Sequence, residues 1–254
     1  MSGFSAFLAK ELQEIRKTWR IWVVPGMVLF FAVSSPIIAY LTPRLIASMA
    51  ESQPGVTVIL PPPTWTDAYG QFLKNLQQVV LIAVVITGAG AISGERAAGT
   101  AVLTLTKPLA RGAFVLAKII SQSLLLIACA ALGAAVCAVV TRVIFGPAPI
   151  SPLLNAVLLW LAYALLLVTV MTFFSAWFAA RGAAAGLGLA FFFVSLLIGI
   201  WAPAVRYTFI GLLPAVAKAI AGQPVTTLWP LATAVAMIVV SAAAAVKVFE
   251  RQEL

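Results

Sequence analysis

The chain has 254 residues, of which 63% are hydrophobic and 9% charged, with a net charge of +9, no histidine and a mean hydropathy of +1.10. A soluble globular domain carries about 25% charged residues, so this composition excludes a soluble core and implies an integral membrane protein. No polar domain gathers the 16 Lys and Arg residues into one face; the positive charge belongs at membrane interfaces, and no nucleic-acid partner is expected.

Residues 1–20 mix Lys, Arg and Glu, and no small-residue cleavage site follows the first apolar run, unlike a cleaved signal. Phe4, Leu8, Leu12, Ile15 and Trp19 recur at helical spacing, while Lys10, Glu11, Gln13, Glu14 and Lys17 cover the other faces, with Arg16 among them. That pattern predicts an amphipathic helix lying in the membrane interface.

Six runs then approach the roughly 20 apolar residues that a spanning helix needs. The first covers 21–41, with Pro25 and Pro36 inside it, which a membrane helix tolerates with a kink. Residues 42–71 form a connecting segment with "PPPTW" and the acids Glu51 and Asp67. The second run covers about 73–92, with Asn75, Gln77 and Gln78 at its start as candidates to line a translocation path. Residues 93–118 follow as a charged loop, and the third run covers about 119–141. Cys129 and Cys137 lie eight residues apart in it, about 12 Å of helical rise, too far for a disulfide. The fourth run spans 153–179 and the fifth 182–202, the latter opening on the small-residue sequence "RGAAAGLG", which suits close helix packing. In 203–227, Val205, Phe209, Leu212, Val216 and Ile220 share a helical face, as in a short re-entrant or surface helix or a packed loop. The sixth run covers about 228–246.

With the N-terminus inside, the inner side holds eleven Lys and Arg residues against five outside, which favours both termini in the cytoplasm. The expected fold is therefore an all-α integral membrane protein: an N-terminal interfacial helix over 1–20, then a six-span domain over 21–254. Its inner loop is 93–118 and its larger outer segments are 42–71 and 203–227.

The chemistry that is missing narrows the function. None of the seven acids falls in the middle of a run, whereas ion-coupled carriers place ionisable groups there. The absence of histidine removes HExxH metal sites and Ser-His catalysis, and no lysine lies deep in a run. None of the seven lysines follows a glycine, so a GxxxxGK[ST] phosphate loop is absent. Energy for uphill transport must come from another polypeptide docked on the cytoplasmic face.

The stretch "ISGERAAGTAVLTLTKPLARGAFVLAK", 92–118, carries Glu95, Arg96, Lys107, Arg111 and Lys118, five of the 23 charges. Its sequence predicts a helix break at Ser93 and Gly94, a turn at Gly99, an N-cap at Thr100, a short surface helix over "AVLTLT" ended by Pro108, and Arg111 and Lys118 at anionic headgroups. The pattern of Gly94, Glu95, Arg96, Gly99, Thr100, Lys107, Pro108, Arg111 and Lys118 resembles the cytoplasmic loop of ABC-2-type transporter permeases. The opening "LAKELQEIRKTWR" and the closing "VFERQEL" resemble the two ends of the same permeases, so the resemblance runs the whole chain. Ala97 stands where many members have a second Glu, and Ala101 and Val102 where they often have Leu-Glu.

The resemblance implies a permease subunit of the bacterial cytoplasmic membrane, pairing with a second copy or paralogue and with two ABC ATPase subunits. Those subunits, not this chain, would bind ATP and Mg²⁺; the chain itself would be neither an enzyme nor a cofactor or metal binder. Glu95, Arg96, Gly99, Thr100, Lys107, Pro108 and Arg111 would couple to the ATPase, together with the N-terminal helix carrying Lys10, Glu11, Glu14 and Arg16. Spans without fixed charge suit export of a hydrophobic or amphipathic substrate such as a lipid, drug, lipopeptide or antimicrobial peptide. A non-transporting membrane scaffold or assembly subunit, or a secondary carrier, is the alternative.

Overall fold

The computed structural model describes residues 3–17, 20–51, 61–99 and 110–252. Most of these residues are helical, with no strand among them, and six helices or helical runs are long and apolar enough to cross a membrane. Helix α1 is Gly3–Lys17, and α2, Arg20–Glu51, is the first span. It runs through Pro25, Pro36 and Pro43, longer than the first apolar run predicts.

The second span is composite: α3 (Trp65–Asn75), a π-helical turn (Leu76–Val80) and α4 (Leu81–Ala89), followed by a break and the short α5 (Ser93–Ala97). It starts at Trp65, eight positions before the expected 73, because Thr64 and Asp67 close a capping box there. The Thr64 N–H donates to Asp67 Oδ2 at 2.8 Å and satisfies one of the donors that a helix start leaves open. Asp67 is thus a helix-capping acid rather than a loop acid.

Next come α6 (Arg111–Phe145), α7 (Ser151–Trp177) and α8 (Arg181–Ile198). The 203–227 segment folds as α9 (Ala202–Tyr207), a 3₁₀ turn (Phe209–Gly211) and α10 (Leu212–Ile220), whose Leu212, Val216 and Ile220 are buried; α11 (Leu228–Glu250) is the last span. At 35 residues, α6 is about 52 Å long against a hydrocarbon core of about 30 Å. Its first turns therefore extend past the apolar layer.

The main core joins α2, α3, α4, α6, α7 and α10 around Tyr69, Phe72, Trp160 and Tyr163. Small residues let the spans approach: a Cβ on Gly133 of α6 would lie 2.4 Å from Val28 Cγ1 of α2, and one on Gly188 of α8 would overlap Met171 of α7. Cys129 and Cys137 are free, buried thiols.

A second, smaller core occupies one end of the bundle, where Phe7 of α1, Phe114 of α6 and Phe249 of α11 form a ring stack with centroid spacings of 5.3 and 5.1 Å. Such ring pairs contribute about 0.5–1.5 kcal/mol each beyond area burial. This end carries the first helix and the last turn of the last one, and is called the terminal face below. Tyr40 and Phe145, whose rings meet edge to face at 5.9 Å, mark the opposite face.

Candidate functional site

The terminal face holds a buried ionic cluster. Lys118, in the second turn of α6, is only 1% exposed. Its Nζ donates to Glu11 Oε2 of α1 at 3.0 Å and to Glu95 Oε1 of α5, and lies 4.9 Å from the Phe114 ring centroid. A buried ammonium without a partner is costly, and two carboxylates together with an aromatic face replace its lost water. The expected headgroup anchor at Lys118 is thus corrected: α1 covers that turn of α6 and supplies a counter-charge, so Lys118 faces protein rather than lipid.

The α1 side of the cluster is also set differently from the sequence pattern. Phe7 and Glu11 are buried, with Phe4 and Leu8 partly so. The inward face is therefore Phe4, Phe7, Leu8 and Glu11, rotated from the expected Phe4, Leu8, Leu12 stripe, because Phe7 must reach Phe114 and Glu11 must reach Lys118. Lys10 sits at the rim, 2.9 Å from Glu14 and 3.5 Å from Glu11, with its ammonium 5.4 Å from the Phe7 ring. Partial burial opposes its charge, but the hydrogen bond to Glu14 and the fields of Glu95, Glu11 and Glu14 outweigh it, and its pKa is raised. One oxygen each of Glu11, Glu14 and Glu95 lie within 4.8 Å of one another; Lys118 and Lys10 hold this carboxylate group together.

Beside the cluster, the break between α4 and α5 is stitched by a residue far away in sequence. The Ser175 hydroxyl of α7 accepts from the N–H groups of Ile92 (2.9 Å) and Ser93 (3.1 Å) and donates to the Ala89 carbonyl at 2.8 Å. The first N–H groups of a helix have no partner within it, and Ser175 provides one from another helix. Arg181 donates to the Gly94 carbonyl at 3.2 Å, and Arg96 to the Ala176 carbonyl at 3.2 Å, which Gln252 also reaches at 2.8 Å. Arg111 caps the end of α11, donating to the carbonyls of Glu250 (3.0 Å) and Gln252 (2.8 Å). Arg111 is therefore a tie between α6 and the C-terminal segment rather than a free headgroup anchor. Gly99, exposed and with φ of +70°, ends the described part of the segment in the left-handed region that favours glycine.

The sequence-selected residues thus divide. Glu95, Arg96, Glu11, Glu14 and Lys10 come together around Lys118 and the α4–α5 break, with Arg111 at the adjoining C-terminal segment. Thr100, Lys107, Pro108, the "AVLTLT" stretch and the Arg16 side chain lie outside the described residues. Asn75, Gln77 and Gln78 do not form one lining: Asn75 donates to the Ser35 hydroxyl at 3.0 Å, Gln77 to the Leu213 carbonyl at 3.3 Å, and Gln78 is exposed on the π-helical turn. The first two are committed to contacts between helices, which argues against the expected shared path. Ser175 was missed because a serine in an apolar run carries no signal of its own; its partners are 82 and 83 residues away.

Among known proteins, this chain is similar to the uncharacterized transmembrane protein YxlG of Bacillus subtilis (strain 168), with 24% identity over 189 residues, 74% of this chain and 73% of the relative. The model of a family described as a protein of unknown function, DUF2705, matches residues 26–254. A multi-pass membrane architecture built from six spans, with a buried ion cluster holding its terminal face together, is therefore the setting in which this chain belongs to the DUF2705 family.

Proposed function

We propose that the chain is the permease subunit of an ABC-type exporter in a bacterial cytoplasmic membrane, with the terminal face in the cytoplasm. The observation that carries this reading is the bond pair from Lys118 to Glu11 and Glu95. It joins the N-terminal helix, the charged segment after the second span and the start of the third span into one mechanical unit. A soluble ATPase bearing on 94–111 would move all three together. Because α6 is one unbroken helix to Phe145, a tilt at its first turn reaches the opposite face.

In this reading the chain supplies no ATP site; two partner ATPases bind ATP and Mg²⁺, and a second permease copy or paralogue completes the pathway. The spans expose large apolar side chains, among them Trp22, Phe30, Val139 and Val239, and the described acids sit at helix ends or outside the spans. Both features suit a hydrophobic or amphipathic substrate.

The test is a pull-down of the tagged chain in mild detergent from its native host, with co-purifying proteins identified by mass spectrometry. A stoichiometric P-loop ATPase, lost on Gly99→Pro or Glu95→Arg in chain that remains monodisperse, is the expected result. A well-folded chain with no ATPase attached would favour the non-transporting scaffold reading.

A further inference from the structure

The opposite face carries a cleft of about 720 Å³ between the 199–227 segment and the start of α11, within the roughly 300–1,000 Å³ of ligand pockets. Two basic side chains line it: Arg206, in the last turn of α9, and Lys218, in the last turn of α10. Among the described residues, no Asp or Glu lines it. Arg206 lies over the Tyr207 ring, 5.3 Å from its centroid, a contact that leaves the guanidinium N–H donors available. Among the described side chains, Asp67 is the acid of this face, and the Thr64 backbone N–H and hydroxyl engage its Oδ2 at 2.8 and 2.9 Å. Neither cation of the cleft therefore has a carboxylate partner among the described side chains.

The rim of the cleft is apolar and open. Ile200 is 84% and Leu228 76% exposed, and Trp229 stands beside them at 59%. These residues lie where α8 ends and α11 begins, at the level where Trp and Tyr mark the boundary between headgroups and acyl chains. The floor is fixed: a Cβ on Gly211 would lie 2.0 Å from the Val205 carbonyl oxygen, and the buried Leu212, Leu213, Val216 and Ile220 anchor α10 to the core. Lys218 is thereby held on the side of α10 turned away from that core.

We infer that this cleft binds the headgroup of an anionic phospholipid, with Arg206 and Lys218 on the phosphate and the acyl chains lying against Ile200, Leu228 and Trp229. Arginine matches phosphate oxygens with a fork of donors and lysine adds a point charge. Uncompensated charge beside lipid-facing apolar residues fits a phospholipid better than a soluble anion. The inference rests on the cleft alone and does not require that the chain belong to a transporter.

The test uses the full chain, purified and delipidated in mild detergent, titrated with phosphatidylglycerol, phosphatidylcholine or glycerol 3-phosphate and read by native mass spectrometry. Phosphatidylglycerol is expected to be retained in preference to phosphatidylcholine. That preference should fall at least about fivefold in Arg206→Gln/Lys218→Gln and persist in Arg206→Lys. A control pair from the same face, Arg44→Gln/Lys74→Gln, should leave it unchanged. An equal fall in both double variants would mean nonspecific charge attraction and overturn the site. So would an unchanged preference in the Arg206/Lys218 variant. Competition by glycerol 3-phosphate at concentrations matching the lipid would overturn the lipid as occupant. Both cations are exposed, so the variants should fold, and an unchanged circular dichroism spectrum checks this.

Discussion

Lys118 and Glu11, 107 residues apart in sequence, meet at 3.0 Å with both residues nearly excluded from solvent. The pair exists because the first helix folds back over the second turn of α6, and Glu95 completes the neutralisation from the end of the second span.

Removing Lys118 alone should be far worse than removing the whole cluster. Lys118→Met leaves Glu11 and Glu95 without their central cation, and the expected loss is about 3–5 kcal/mol, as for breaking other buried pairs. The triple variant Glu11→Gln/Glu95→Gln/Lys118→Met should recover most of it. Unfolding in mixed detergent, followed by circular dichroism, measures both; a triple variant less stable than the single one would show that the cluster's charges are not mutually compensating.

At Gly99 the requirement is backbone geometry, since a Cβ there would meet nothing within 4 Å. Gly99→Asn should be tolerated better than Gly99→Val, because Asn visits the left-handed region and a β-branched residue rarely does. The difference should be about 1–2 kcal/mol of local strain, read as faster proteolysis of the charged segment in the Val variant. Equal cleavage rates for the two would remove the φ argument.

Close packing of the first and third spans depends on Gly133. Gly133→Ala forces a methyl against Val28 Cγ1, whose β-branched side chain has few other rotamers, and should cost about 1–3 kcal/mol. Combining it with Val28→Ala should cost less than the sum of the two single changes. Strict additivity in the unfolding measurements would mean that the two helices do not touch there.

Orientation can be checked without knowing any substrate. Gln13, on α1, and Gln223, after α10, are both exposed and lie at opposite ends of the bundle, while the native thiols Cys129 and Cys137 are buried and should stay unreactive. In intact cells a membrane-impermeant maleimide should label Gln223→Cys, and should label Gln13→Cys only after permeabilisation. Labelling of Gln13→Cys from outside would contradict a cytoplasmic terminal face.

The sequence by itself determined that this is an all-helical membrane protein with six spans, because the length of each apolar run is a local property matched to bilayer thickness. It also marked the charged segment after the second span, the turn at Gly99 and the acids of the first helix, since charge and glycine stand out against an apolar background. Only the tertiary structure decided what those residues touch. Lys118 read as a headgroup anchor because position along a span looks the same whether the side chain meets lipid or another helix. Ser175 read as one more small residue in an apolar run. Asn75 and Gln77 read as a possible lining until their partners, Ser35 and the Leu213 carbonyl, proved to be on other helices. Burial, register between helices and the pairing of charges depend on contacts across 40 to 136 positions, and no local pattern in the chain encodes those.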